Sequence, residues 1–404
     1  MALGALIAAI RDADDGGGLV AALPVSGRAL IERQARLAAS AGADHIVVLV
    51  ERLPGALTGA IDRLRRDGVP VEVARSAGDA ADRFHPDERV LVFADGALTD
   101  PVTIARLADG AAPTLLTLSD AAPSGAFERI DAATRWAGLA LVSGEMLRKT
   151  VAMLGDWDLH STLLRRAVGA SARRLDIADG TDLDEAPTAL LVRSRGGAHA
   201  ATQAGLAAAG EGGGWPSRFL YTPFARAVAG ALIERTVPSR WLRWGAIVGT
   251  ALGGAALARG WLAAAMALLI VSSAVDALGR LLAGLRLMRI GPGDRLSVLR
   301  AVIAGIALLL FGWHRLDVGW APFAVAAFTA ATMAALAREE AMLRRTGGAP
   351  SIWTADVDAL ILLFLPFVAA RATVPGLIAL ALYAALSFGL VQHRLARRMG
   401  INQV

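Results

Sequence analysis

Six apolar stretches in the second half of this chain limit its fold more than any other feature. Several of them reach 18 residues or more when their terminal arginines are counted, which is enough to cross a bilayer as a helix. Helices of a soluble core would be shorter and would show a polar face. We therefore predict an all-α domain of six transmembrane helices, at 241–258, 261–275, 296–313, 318–337, 357–370 and 372–391.

The arginines predict how these helices are oriented. Lysine occurs once, at Lys149, so nearly every basic residue is arginine. Arginines cluster before the first stretch, between the second and third, between the fourth and fifth, and after the sixth, whereas each other loop carries one. Because basic residues collect on the cytoplasmic side, we expect a multi-pass protein of the inner (cytoplasmic) membrane with both termini in the cytoplasm.

Charge divides the chain into two halves. Residues 211–404 carry 19 arginines against 9 acidic residues, whereas residues 1–210 carry 27 acidic against 22 basic residues. The first apolar segment lacks a basic flank, so we expect no secretory signal and a cytoplasmic first half. Its negative charge argues against nucleic acid as a partner. With no cysteine in the sequence, disulfides and thiolate metal sites are excluded.

Short apolar runs alternate with amphipathic stretches in the first half. This alternation is typical of an α/β domain with a mainly parallel sheet. The glycine- and alanine-rich segment 196–214 predicts a linker, so we expect domains at 1–195 and 241–404, joined through an amphipathic entry segment at 215–240. The predicted strands are 5–9, 45–50, 71–74, 90–94 and 114–118, and the predicted helices are 28–41 (with Ser26 as its N-cap), 54–66, 78–84 and 102–109.

Acidic residues follow two of these strands, where ligands bind in parallel sheets. Asp12, Asp14 and Asp15 come after the first strand, and Asp95 closes the strand at 90–94. Asp95 is followed by glycine, and two interpretations stay open. It is either a magnesium ligand of a nucleotide site or the first residue of a turn.

Ionisable residues also lie at predicted membrane depth, where they usually serve a function. Asp276 and Arg280 are four residues apart near the cytoplasmic end of the second stretch, and Asp294 begins the third. Two carboxylates on adjacent helices suit Mg²⁺ or Mn²⁺, while Arg280 and Arg286 suit phosphate. The alternative is an Asp276–Arg280 ion pair with Asp294 in a solvated turn.

Smaller signals accompany this pattern. Gly245, Gly249 and Gly253 repeat at the GxxxG spacing, which favours close helix packing within the bundle or between protomers, so a homodimer is permitted. Asp356 and Asp358 are interpreted as interfacial residues at the start of the fifth stretch.

Residues 23–34 and 41–48 resemble the "pv.G.pLIerq" helix and following strand of sugar-nucleotide pyrophosphorylase-type nucleotidyltransferases. The resemblance implies a GT-A or Rossmann-like fold, with Asp95 at the position of that family's metal-binding aspartate. The phosphate loop departs from the family pattern. In 8–18 the glycines are displaced and three aspartates intervene, and the Pro-Lys pair has no lysine.

Residues 214–226, which include Arg218, resemble the entry segment of CDP-alcohol phosphatidyltransferases. The likeness is best to those fused behind a nucleotidyltransferase, of the inositol-phosphate cytidylyltransferase–phosphotransferase type. In that family's four-aspartate signature, Asp276 takes the second position and Asp294 the third, whereas Ser273 and Val298 replace the first and last. The resemblance implies divalent metal at the aspartates and phosphate binding by the arginines Arg218, Arg280 and Arg286.

Two functions follow from these motifs, which are degenerate in both halves. The first is a diverged membrane phosphotransferase that moves a phosphoalcohol or phosphatidyl group from a CDP-linked donor to an alcohol acceptor in phospholipid biosynthesis. The second is a catalytically inactive, membrane-anchored relative that serves as a scaffold or regulatory partner. A small transporter fits six spans but not the basic entry segment.

Overall fold

The computed structural model describes residues 2–120, 127–155, 157–177, 189–208, 214–234, 238–285, 294–345 and 351–398. The chain divides into two compact units, Met1–Ala204 and Gly205–Val404, called the α/β unit and the helical unit below. The finer divisions expected at 195, 214 and 240 stay predictions.

The α/β unit alternates strands and helices, as its sequence predicts. Its elements are β1 (Leu3–Ala8), β2 (Pro24–Val25), β3 (Arg28–Ala29), α1 (Leu30–Ser40), β4 (His45–Leu49), α2 (Gly55–Arg66), β5 (Val71–Ala74), α3 (Ala77–Asp82), β6 (Arg89–Phe93), β7 (Ala97–Thr99), α4 (Pro101–Ala108), β8 (Thr114–Ser119), β9 (Thr134–Ser143), α5 (Gly144–Val151), α6 (Leu159–Gly169), β10 (Arg173–Asp176), β11 (Ala189–Leu191) and α7 (Arg195–Ala208).

Seven strands form the main sheet, in the order β10-β8-β9-β6-β1-β4-β5. Its pairings are parallel except those of β9, which runs antiparallel to both neighbours. The predicted α/β domain with a mainly parallel sheet is therefore confirmed. Strand β1 lies near the centre and is buried along its whole length, which explains why it reads as a continuous apolar run.

Ser26 is not the N-cap of the first helix, as the sequence had suggested. The cap is Ala29, whose N–H donates to the Glu32 carboxylate at 3.4 Å. Ser26 and Gly27 both have positive φ, 52° and 76°, and form the tight turn that joins β2 to β3. The error has a physical cause, because serine is favoured both in turns and at helix N-termini.

The described residues of the helical unit include a helix that overlaps each of the six predicted stretches. After a π-helical turn (Ser217–Tyr221) and α8 (Thr222–Glu234) come α9 (Ser239–Ala258), α10 (Leu262–Leu285), α11 (Arg295–Trp313), α12 (Ala321–Arg345), α13 (Val357–Ala369) and α14 (Thr373–Arg398).

Four of these helices are long and apolar enough to cross a membrane, namely Leu262–Leu285, Arg295–Trp313, Ala321–Leu343 and Thr373–Arg397. They mark the chain as a membrane protein. Helix α13 has only 13 residues, and α9 is not among the four. The count of six crossings and the sidedness of the termini therefore stay predictions.

Small residues let α9 approach its neighbours closely. A Cβ atom on Gly253 would lie 2.8 Å from Leu269 of α10, and one on Gly254 would lie 2.5 Å from Ala307 of α11. Gly249 meets Ser272 of α10 in the same way, at 3.2 Å, whereas Gly245 faces open space. Two of the three glycines at the GxxxG spacing thus pack within this unit.

Candidate functional site

A cavity of about 420 Å³ opens in the α/β unit beyond the carboxyl ends of β1 and β6. This is the edge of the sheet where ligands bind in such folds. Its wall combines carboxylates, a histidine, arginines and aromatic rings. The lining residues are Ile10, Arg11, Ala94, Asp95, Phe127, Glu128, Trp136, Gly138, Asp158, His160, Ser161, Leu191 and Arg193.

Asp95 is held by the end of the first strand. Its Oδ2 accepts the backbone N–H groups of Ile10 and Arg11, both at 3.3 Å. Its Oδ1 is buried and has no hydrogen-bond partner among the described residues. The carboxylate is thus fixed through one oxygen, while the second oxygen is buried without a hydrogen-bond partner among the described residues.

His160 lies at the start of α6 and is 8% exposed. Its Nδ1 is 4.0 Å from the Asp158 carboxylate, and its ring stacks on Trp136 with 6.5 Å between centroids. Its Nε2 is buried and finds no hydrogen-bond partner in the described part of the chain. Buried polar atoms are rarely left unpaired, and two such atoms belong to residues of one cavity wall.

The electrostatics of this cavity are set by burial. Burial raises the pKa of Asp95, and the charge of His160 and the N–H groups of Ile10 and Arg11 oppose that rise. A carboxylate that is costly to ionise gains from a bound cation or from hydroxyl donors. A bound Mg²⁺ would take the Asp95 carboxylate as one oxygen ligand, and magnesium binding at Asp95 stays a prediction.

The three aspartates after β1 do not line the cavity. Asp15 accepts the N–H groups of Arg195 at 2.7 Å and Gly17 at 3.2 Å, and the hydrogen bond from Arg195 lowers the pKa of Asp15. Asp12 pairs with Arg52. These carboxylates therefore order their own loop instead of facing a phosphate ligand.

The helical unit contains a buried ion network formed by side chains of four helices and a helix cap. Asp276 and Arg280 lie on α10, Arg243 on α9, Arg300 on α11 and Asp358 on α13, and Asp294 caps α11. Arg243, Asp276, Arg300 and Asp358 are each 5% exposed or less.

Asp276 and Asp358 are bridged twice. Arg280 Nη1 lies 2.8 Å from Asp276 Oδ2, and Arg280 Nη2 donates to Asp358 Oδ2 at 3.2 Å. Arg300 reaches the same Asp276 oxygen at 3.2 Å and Asp358 Oδ1 at 2.8 Å. Each guanidinium therefore contacts both carboxylates, and each carboxylate contacts both guanidiniums.

A third guanidinium joins the two predicted metal ligands. Arg243 pairs with Asp294, and its Nε lies 3.7 Å from Asp276 Oδ1. Asp294 also accepts the backbone N–H of Ser297, as the N-cap of α11. The Asp276–Arg280 pair proposed as the alternative interpretation is present, but Asp294 is paired rather than free in a solvated turn.

These side chains do not fit a divalent metal as they stand. Within the described ranges no group of three or more histidine, cysteine, aspartate or glutamate side chains could hold a metal ion. Asp276, Asp294 and Asp358 each pair with at least one guanidinium, which repels a cation at the same oxygen. Metal binding by Asp276, Asp294 and Asp95 stays a prediction.

The arginines predicted to bind phosphate do not form one cluster among the described residues. Arg280 belongs to the network, whereas Arg218 is exposed in the π-helical turn. Arg286 lies outside the described residues. Phosphate binding by these three arginines stays a prediction.

Sequence reasoning missed several residues of both sites. Arg300 is the sixth residue of α11. An arginine within an apolar stretch is the signal that could have identified it. Asp358 was interpreted as interfacial, but it is 2% exposed. His160 had no sequence signal, because only the fold brings α6 to the ends of β1 and β6.

Comparisons with known proteins find a likeness only among solved structures. No protein-family model matches the chain, and no curated protein matches it. The crystal structure of a protein named as a glucose-1-phosphate thymidylyltransferase from Bacillus anthracis, in complex with a sucrose, is similar at 11% identity and a TM-score of 0.39. The match covers 50% of this chain and 95% of that one. At this TM-score the likeness carries no further argument.

Proposed function

We propose that this chain is a membrane-anchored relative of the CDP-alcohol phosphotransferase fusion proteins, and that its α/β unit binds a nucleotide or a phosphorylated polyol. The observation that carries the proposal is the cavity wall that includes Asp95 and His160, whose Oδ1 and Nε2 atoms are buried and have no hydrogen-bond partner among the described residues. Burying such atoms costs free energy unless a ligand pairs with them.

The lining of the cavity supports this ligand class. Asp95, Glu128 and Asp158 supply acceptors for the hydroxyl groups of a sugar or cyclitol. Arg11 supplies a donor for phosphate. Trp136 and Phe127 add apolar surface against which a ring can stack.

For the helical unit we propose an anchoring role without phosphotransfer, as in a scaffold or regulatory partner. Transfer by the two-metal route needs carboxylate oxygens that accept metal and a base for the attacking hydroxyl. Here the Asp276, Asp294 and Asp358 carboxylates are occupied by arginine, and Val298 stands at the position of the last aspartate. Active phosphotransfer is the competing function.

The test is calorimetric titration of the full-length chain in lipid nanodiscs. The probes are CTP, CDP-inositol, inositol 1-phosphate and glucose 1-phosphate, each with Mg²⁺. We expect one of them to bind, and Asp95→Asn and His160→Ala each to weaken binding by about tenfold or more, because the first removes the negative charge of a buried carboxylate and the second removes a buried imidazole. The exposed carboxylate of Asp62 gives the matched control, Asp62→Asn, which leaves affinity unchanged.

The same preparation is assayed for CMP release from CDP-diacylglycerol and CDP-inositol with several alcohols. Absence of binding by every probe contradicts the ligand proposal. Metal-dependent CMP release that is lost in Asp276→Ala and Asp294→Ala contradicts the anchoring role and establishes the phosphotransferase.

A further inference from the structure

The ion network of the helical unit has the charge pattern of a two-metal centre. In such a centre two cations share bridging carboxylates. Here Arg280 and Arg300 share the carboxylates of Asp276 and Asp358 through four contacts of 2.8 to 3.2 Å. The four side chains therefore form a closed ring of alternating positive and negative groups.

We propose that the guanidinium groups of Arg280 and Arg300 act as fixed internal cations in place of divalent metal, so that this centre is assembled without metal. The inference concerns the helical unit alone and does not depend on the ligand of the α/β unit.

The surroundings of Arg300 are built for a guanidinium. Its Nε donates to Thr250 Oγ1 at 3.2 Å, and its Nη2 donates to Ser273 Oγ at 2.7 Å as well as to Asp358. Ser273 stands where the resembled signature has its first aspartate, and it accepts a hydrogen bond there without adding a negative charge. The planar fork of arginine satisfies these acceptors together, which the single charged atom of lysine cannot do.

The paired charges of the network balance. Arg243, Arg280 and Arg300 pair with Asp276, Asp294 and Asp358, so three positive groups meet three negative ones. Asp356 also interacts electrostatically with Arg280 and Arg300. A divalent cation added to this site would be repelled by the three guanidinium groups that already face its carboxylates. Removing the guanidiniums would instead leave carboxylates that attract one.

The experiment measures Mn²⁺ binding and thermal unfolding of the full-length chain in lipid nanodiscs. Electron paramagnetic resonance of free Mn²⁺ gives the stoichiometry. The wild type is expected to bind no Mn²⁺ stoichiometrically in the helical unit, with an unfolding midpoint that EDTA does not change. Every chain in this experiment also carries Asp95→Asn, so that metal bound at Asp95 in the α/β unit is not counted.

In Arg280→Met/Arg300→Met we expect a midpoint several degrees lower, together with Mn²⁺ binding at least about tenfold tighter than in the wild type. Mn²⁺ should restore part of the lost midpoint. Arg295→Met, an exposed arginine at the start of α11, is the matched control and should change neither quantity.

Two results overturn the proposal. One is stoichiometric Mn²⁺ binding by the Arg-containing chain that disappears in Asp276→Asn. The other is a folded double methionine variant that gains no Mn²⁺ binding. If that variant does not fold, the Mn²⁺ titration of the Arg-containing chain still tests the proposal. The proposal requires that this chain bind no metal at the ion network of the helical unit.

Discussion

At the residue scale, the buried carboxylate of Asp95 couples the stability of the fold to pH. One of its oxygens is fixed by backbone N–H groups, and the other is buried without a hydrogen-bond partner among the described residues. This arrangement resembles a site prepared for a cation or for hydroxyl donors, and it costs stability when no ligand is present.

The first prediction concerns the stability of the chain without ligand. Burial raises the pKa of Asp95 above its usual value of 3.8, so the folded state binds this proton more tightly than the unfolded state. The stabilising effect is present below pH 3.8 and is lost as pH rises through the raised pKa. Asp95→Asn should therefore gain stability relative to the wild type as pH rises from about 4 to about 7.

Unfolding midpoints of both chains across that pH range test this prediction. Subtracting the two curves cancels the carboxylates they share. Asp62→Asn provides the reference for an exposed aspartate. A wild-type advantage that grows with pH would show that ionised Asp95 is stabilised in the fold, contrary to the expected cost of its burial.

At the element scale, close packing of α9 depends on glycines whose neighbours leave no room for a methyl group. A Cβ atom on Gly254 would lie 2.5 Å from the Ala307 side chain of α11, whereas one on Gly245 would meet nothing within 4 Å. The two glycines share a helix but have opposite surroundings, so they form a matched pair.

We expect Gly254→Ala to destabilise the helical unit by about 1–3 kcal/mol, because the two helix backbones must move apart. Gly245→Ala should be neutral or should stabilise by about 0.5–1 kcal/mol, because alanine is the better helix former. Denaturant unfolding in mixed micelles measures both. Equal effects of the two substitutions would mean that α9 does not pack on α11 through Gly254.

Sequence reasoning succeeded for elements whose burial pattern is local. Strand β5 was predicted at its observed bounds, and a described helix overlaps each apolar stretch of the second half. Strand β9 was missed because Gly138, with φ of 81°, interrupts its apolar run at an irregular pairing with β8. Arg300 and Asp358 were missed as site residues because their partners lie 24 to 78 residues away, and sequence spacing gives no information on such contacts.

At the scale of the whole molecule, the distribution of arginine predicts a sidedness that the helices alone do not. Four helices satisfy the requirements for crossing a membrane, whereas the arginine clusters fit six crossings with both termini in the cytoplasm. The two counts differ in the status of α9 and α13. If α9 crosses, Gly260, between α9 and α10, lies on the outer side.

The absence of cysteine from the sequence makes this testable with single substitutions in the natural chain. Six crossings predict that Gly260→Cys and Ala372→Cys, each in a loop with a single arginine, react with a membrane-impermeant maleimide in intact cells. Ser351→Cys, in a loop next to an arginine cluster, should react only after the membrane is permeabilised.

Because α13 has only 13 residues, it reaches across the hydrocarbon core only if flanking residues extend it or the bilayer thins locally. A protected Gly260→Cys would place α9 on the cytoplasmic surface, and a protected Ala372→Cys would do the same for α13. Either result would contradict the six-crossing arrangement, because α9 or α13 would then lie along the membrane surface instead of crossing it.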